Sequence, residues 1–283
     1  MHSSQRLETI TRQFAQSRTQ RSASEIKLRE ELAAAYRIAN LLQWDELTFN
    51  HISVRLDDDG SGVHKFLINP YGLGFDEVTA SSLVTVDAHG TIIDPGNASG
   101  KINPAGFVIH SAVHEARPDA RCVLHTHHPD VTAVACRKEG FLPLTQTHLL
   151  LGEVTYHDFQ GLALNMEERE SLAKDLGKDS SVMLLKNHGC LTLGTTVGDA
   201  VVRHFLLVRA CQTQLKAMAD GRLNGLSLPS ETALDNVRTQ MRFITSSSSA
   251  SSAGSSSEKG LFDDAFRSMV RSMERKVGSA WKE

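Results

Sequence analysis

No C-x-x-C pair occurs in this 283-residue chain, and its four cysteines, Cys122, Cys136, Cys190 and Cys211, are scattered through apolar stretches. Such thiols read as buried and free, in a reducing compartment. No apolar run approaches the length of a membrane span. A formal net charge of −3 leaves no overall basic footprint for nucleic acid. The opening residues, Met1-His2-Ser3-Ser4-Gln5-Arg6, lack the apolar core of a secretory signal, and Glu8 with a weak apolar face argues against a transit peptide. The expectation is a cytoplasmic protein. With 40% hydrophobic and 22% charged residues, the chain has ordinary globular composition and length enough for one domain with extensions.

Residues 1–23 are rich in Ser, Thr, Gln and Arg and read as a flexible or loosely helical arm. Ser24 looks like an N-cap with Glu25 in the first turn, and Ile26, Leu28, Leu32, Ala35, Ile38, Ala39 and Leu42 predict an amphipathic helix. Alternating strands follow at 48–56, 65–69, 81–87 and 91–94, broken by Asp57-Asp58-Asp59-Gly60, Pro70-Tyr71-Gly72 and Ala88-His89-Gly90. The first half is therefore meander-like. A helix is expected from Pro104 to Ala116, strands at 121–125, 142–144, 154–156, 181–187 and 190–193, and helices at 131–137, 166–176 and 197–220. The stretch 245–257 is almost all Ser and Ala and predicts a linker. Beyond it, 258–283 carries one more amphipathic helix, with Phe266, Met269, Val270 and Met273, that would dock on its own domain or on a neighbouring subunit.

The chemistry concentrates at Val123-Leu124-His125-Thr126-His127-His128-Pro129. Alternate residues of a strand face one side, so His125 and His127 at a strand end can offer two nitrogens to one ion. A second apolar strand ends in Asn187-His188-Gly189, and the two strand ends could meet at one pocket. Read alone, the His pair is more often the mark of ordinary surface or strand histidines, in a chain that has 13 of them, and the second strand end brings the two readings level.

These strings, in order, resemble the class II aldolase/adducin family: Asn50-His51-Ile52-Ser53, Ile68-Asn69-Pro70-Tyr71-Gly72, Ala105-Gly106-Phe107, Ala116-Arg117-Pro118-Asp119, His125-Thr126-His127, Tyr156-His157-Asp158 and Asn187-His188-Gly189. The match covers roughly 26–220 and omits the N-terminal arm and the Ser-rich stretch. The resemblance implies an α/β fold, a three-layer αβα sandwich around a central, largely antiparallel sheet, and homo-tetramers with active sites between subunits. It implies a divalent metal, zinc in the sugar-phosphate aldolases, held by His125, His127 and His188, acting on a small hydroxy-carbonyl substrate through an enediolate. Tyr156 matches a proton donor, and Asn50, Asn69 and Gly72 match positions that bind substrate.

Two positions depart from the aldolases. Gly106 falls where their catalytic glutamate stands, and Phe49 replaces a small residue, which should crowd a phosphate. Both look more like the adducin head and its bacterial relatives. Three functions therefore stand side by side: a metal-dependent lyase forming or cleaving a C–C bond, a non-catalytic scaffold with a cytoskeletal partner such as actin or spectrin, and a metal-dependent epimerase or dehydratase. The sequence carries no lysine-rich tail of the kind through which adducins bind actin and spectrin. His51 and His128 are further polar groups near the pocket, expected as surface or hydrogen-bonded histidines.

Overall fold

A computed structural model describes residues 21–98, 100–161, 166–250 and 261–283. Helix α1, Ala23–Leu41, starts two residues earlier than the sequence suggests, because Ser22 Oγ rather than Ser24 accepts the Glu25 N–H at 3.1 Å. Strands β1 (His51–Arg55), β2 (Lys65–Ile68), β3 (Val84–Asp87) and β4 (Ile92–Asp94) form the expected meander. Helix α2, Pro104–Ala116, is opened by the Asn103 side chain with Pro in the first turn. There follow β5 (Cys122–Thr126), α3 (Pro129–Ala135), α4 (Gln146–Leu149), β6 (Val154–His157), α5 (Met166–Leu176), β7 (Val182–Leu185), β8 (Gly189–Gly194), α6 (Val197–Ala217), α7 (Glu231–Ala250) and α8 (Asp263–Val277).

The eight strands among the described residues make one mixed sheet, in the order β4-β3-β2-β1-β5-β8-β7-β6. Every neighbouring pair is antiparallel except β6 with β7. Side chains alternate across it. Ile52, Val54, Leu67, Cys122, Leu124 and Leu184 pack with α1, α6 and α8 in the main core. Val123, Met183, Leu191 and Leu193 point the other way, against Ile109 and Val113 of α2 and Leu172 of α5.

Several expectations change. Residues 142–144 form no strand; Leu142 N–H donates to the Gln214 side chain at 2.9 Å, so the segment is tied to α6 instead of to the sheet. The segment predicted as a linker begins as helix, since α7 runs to Ala250, and 251–257 lie outside the described residues, as does the arm up to residue 20. Cys136, at the C-cap of α3, is exposed, while the other three thiols are buried. Helix α8 docks on its own domain, with Phe266, Met273 and Trp281 buried in the main core. Ala80 N–H donates to Trp281 O and Ser81 N–H to Glu283 O, both at 2.9 Å.

The helix α2 side of the sheet is unusually rich in imidazole. Ser53 Oγ lies 2.6 Å from His110 Nδ1 and 2.7 Å from His114 Nε2. Across the sheet, His204 Nε2 lies 3.0 Å from Thr126 Oγ1, beneath the Trp44 ring. Burial lowers His51, His114 and His204 to about 3. In the unfolded chain each takes a proton near its ordinary value. Stability is therefore complete above pH ~6.5 and falls as pH drops from ~6.5 toward the folded values, by about 1 kcal/mol per imidazole per pH unit. Urea unfolding at pH 7.0 and 5.5 should show a loss of several kcal/mol; equal stability at the two pH values would sink this account.

Candidate metal centre

The chain must turn sharply after β5, where His128 accepts the Asp130 N–H at 3.3 Å and opens α3. That leaves His125 within the strand and His127 just past its end. The β7–β8 connection is three residues long, and Asn187 takes the left-handed φ of 58° that asparagine tolerates. His188 follows at the sheet's end. Gly189 is required there: a Cβ on it would stand 2.3 Å from Thr126 O and 3.0 Å from His127 Cδ2. Its bare backbone lets β8 close against β5 and carries the His188 turn onto His127.

The ligand atoms of His125, His127 and His188 all lie within 4.8 Å of one another. His125 Nδ1–H donates to Cys190 O at 3.0 Å, and His127 Nδ1–H donates to Glu46 Oε2 at 2.6 Å. Both rings then turn an unprotonated Nε2 inward, and these two atoms are 3.0 Å apart. Tetrahedral zinc with bonds of about 2.0 Å separates two nitrogen ligands by about 3.3 Å. Two lone pairs aimed at one point, each fixed by a partner on the far ring nitrogen, form a donor set that fits a divalent ion. Burial, and then the neighbouring imidazoles, hold His125 far below its ordinary value and His188 at about 4, so both are neutral and competent as ligands at pH 7.

The other expected residues take different places. Asn50 is buried and its Oδ1 accepts the Glu46 N–H at 2.6 Å, so it fixes the loop that holds His127; its Nδ2 has no partner. Asn69 Oδ1 accepts from the Tyr36 hydroxyl at 2.9 Å, and Gly72 turns with φ 98° into open space. Tyr156 pairs in register with Leu184 and packs on the main core, the face opposite His125. Its hydroxyl accepts the Phe141 N–H at 2.8 Å, so a single chain does not bring it to the three histidines. Phe49 is half exposed.

Two groups near the site, Glu46 and His157, carry no assignment from sequence, and a third, His51, departs from its expectation. Glu46 read as part of a polar connection. His157 is buried, with Nδ1 2.7 Å from Asp175 Oδ2, in a small cleft shared with Glu168, Lys186 and His188; the string Tyr156-His157-Asp158 was its only signal. His51 is neither a surface nor a hydrogen-bonded histidine: it is 3% exposed and, among the described residues, neither ring nitrogen has a partner. It stacks on His125, its ladder partner, with ring centroids 6.2 Å apart and planes 9° from parallel. A Cβ on Gly106 would lie 2.3–2.6 Å from three atoms of the His51 ring. The space of a side chain at 106 is therefore filled from β1.

Comparison with known proteins agrees with this fold. The family model described as "Class II Aldolase and Adducin N-terminal domain" matches residues 30–215. Alpha-adducin of Rattus norvegicus is 44% identical over 192 residues, covering 68% of this chain and 26% of that protein. A solved aldolase II superfamily protein from Pseudomonas syringae superposes with a TM-score of 0.82 at 39% identity, covering 94% of this chain and 99% of the other. L-fuculose 1-phosphate aldolase from Glaciozyma antarctica PI12 gives 0.74 at 27% identity, covering 92% and 94%. With a family model matched over well over half its length and the His-x-His and Asn-His-Gly strand ends in place, the chain belongs to the class II aldolase and adducin family.

Proposed function

We propose that the chain is a divalent-metal lyase acting on small hydroxy-carbonyl compounds, with His125, His127 and His188 as ligands and zinc as the ion. The observation that carries the reading is the convergence of the His125 and His127 Nε2 atoms, the Nδ1 of both rings already engaged, with His188 beside them. Three imidazoles with no thiolate leave a coordination position for a substrate or water, the composition of a catalytic rather than a structural zinc site. A bound ion would polarise a carbonyl oxygen and stabilise charge developing beside it. The likeness to a solved L-fuculose 1-phosphate aldolase supports the same reaction class.

The chain's own residues orient the site. Cys190 O and Glu46 fix the ring tilt of two ligands, and Asn50 holds Glu46. The unpartnered Asn50 Nδ2 supports a substrate-binding role for that residue; Asn69 and Gly72 extend the reading along the same strand ends. Tyr156 fits as proton donor only in a site shared with a second copy, since its hydroxyl here serves Phe141. A homo-oligomer, tetrameric by resemblance, belongs to this reading, and helices on both faces of the sheet support the three-layer αβα sandwich.

A second reading is favoured by one observation. Position 106 carries no carboxylate and its space is filled by His51, so proton abstraction from that position has no base. In this reading the domain is a non-catalytic oligomerisation module with a cytoskeletal partner, in keeping with its 44% identity to alpha-adducin.

Protein purified without chelator should carry close to one equivalent of zinc by elemental analysis, and His125→Ala should lose both the metal and any cleavage of hydroxy-aldehyde substrates. Folded protein that contains no metal and takes up none would overturn the lyase reading in favour of the scaffold. Glu46→Gln should weaken zinc binding by about 10-fold with little change in thermal stability; unchanged affinity would show that Glu46 does not orient His127. Tyr156→Phe should cost about 1 kcal/mol of stability through the lost Phe141 bond. If turnover instead collapses while stability holds, the hydroxyl belongs to a site completed by another subunit.

A further inference from the structure

The strongest observation outside the three ligands is the His51 ring. A buried imidazole normally has a partner at each nitrogen; His51 has none at either, though it lies against a ligand histidine. Its neighbours close a hydrogen-bonded row of their own that leaves His51 out. His114 Nδ1–H donates to Ala120 O at 3.1 Å, so His114 Nε2 is an acceptor and takes the Ser53 hydroxyl proton at 2.7 Å. Ser53 Oγ then accepts from His110 Nδ1–H at 2.6 Å. His110 Nε2 is left as a lone pair with no partner, edge-on to the His51 ring at 5.8 Å between centroids. The row is polarised in one direction, from the His110 N–H through Ser53 and His114 to the Ala120 carbonyl, and it stops short of His51.

We infer that His51 is the residue that selects the ligand at the metal centre: one of its two unpartnered nitrogens forms a hydrogen bond with a hydroxyl group on a molecule bound at His125, His127 and His188. This rests on the metal reading above and sharpens it to a class of ligand. His51 is held neutral by burial and keeps one donor and one acceptor nitrogen, and a hydroxyl, which both donates and accepts, suits either one. Gly106 is the second half of the device, since only a residue without a side chain leaves room for the ring. His51 is thus a specificity-determining residue brought in from β1, at the place where α2 offers nothing.

The test uses the full chain loaded with Co²⁺, whose visible spectrum reports ligands entering the metal site. Two chelating probes differ by one hydroxyl, glycolohydroxamate and acetohydroxamate. Wild-type protein should bind the hydroxylated probe about 10-fold more tightly, the factor that one hydrogen bond supplies. His51→Phe should bring the ratio close to one while acetohydroxamate affinity and cobalt content stay unchanged. Gly106→Ala should lower the ratio as well, because its Cβ displaces the ring while every nitrogen is kept; it gives an independent reading if His51→Phe does not fold. A ratio that survives in either folded variant, or no preference in wild type, overturns the role of His51 while leaving the metal site standing. Wild-type protein that yields no cobalt spectrum overturns the metal reading, and this proposal with it.

Discussion

Strand β5 lies between β1 and β8, and its register with each decides what every histidine of the site can do. His125 stands opposite His51 on one side and Leu191 on the other, and Thr126 stands opposite Cys190. Because strand side chains alternate, a slip of one residue would send His125 into the main apolar core and turn Leu124 toward α2. The register is held on both flanks by buried ladders and by the close contact of Gly189 with the Thr126 carbonyl. The ligand cluster, the His51 stack and the Ser53 network all follow from that alignment.

The same alignment carries a cost. Polar rings are packed where an α/β protein ordinarily places Val and Ile. The cost is offset where hydrogen bonds close, as in the row from Ala120 through His114 and Ser53 to His110. It is not offset within the chain at His51, Asn50 Nδ2 or His110 Nε2. These three atom sets are gathered around β1, beside the three converging ligands. Other buried atoms, such as Thr132 Oγ1 and His148 Nε2, also lack partners; what sets this group apart is its place beside the converging histidines, where a binding site is expected to breach polar satisfaction. The buried Arg29 makes the contrast: it bonds Glu25, Thr85 and the Leu83 carbonyl, and nothing there points to a ligand.

Much of this was readable from sequence where the signal is local. The two-residue period gave the meander, the three-to-four-residue period gave α1, α2, α5 and α6, and the paired motifs His125-Thr126-His127 and Asn187-His188-Gly189 pointed to one pocket. What was not readable depended on distant pairs or on parity. Glu46 and His127 are 81 residues apart and meet only through the fold. The exchange of volume between Gly106 and His51 leaves two ordinary residues in the sequence and a filled space in three dimensions. Tyr156 and His157 are neighbours, and which of them faces the ligands is set by their register with β7. Composition also misled: a serine run read as a linker starts as a continuation of α7.

The docking of α8 gives the chain a long reach back on itself. Phe266, Met273 and Trp281 cover the side of α1 and α6, and the Trp281 and Glu283 carbonyls accept from the Ala80 and Ser81 N–H groups. A growing polypeptide that has been made only as far as α7 has a complete sheet and all three ligand histidines, yet its first long helix still exposes an apolar flank. Contacts between the start and the finish of a chain are the slowest to form and leave sticky surface open longest. The domain is therefore closed by a segment made after all of its strands, and the strands that carry the converging histidines are in place before the fold that protects them is complete.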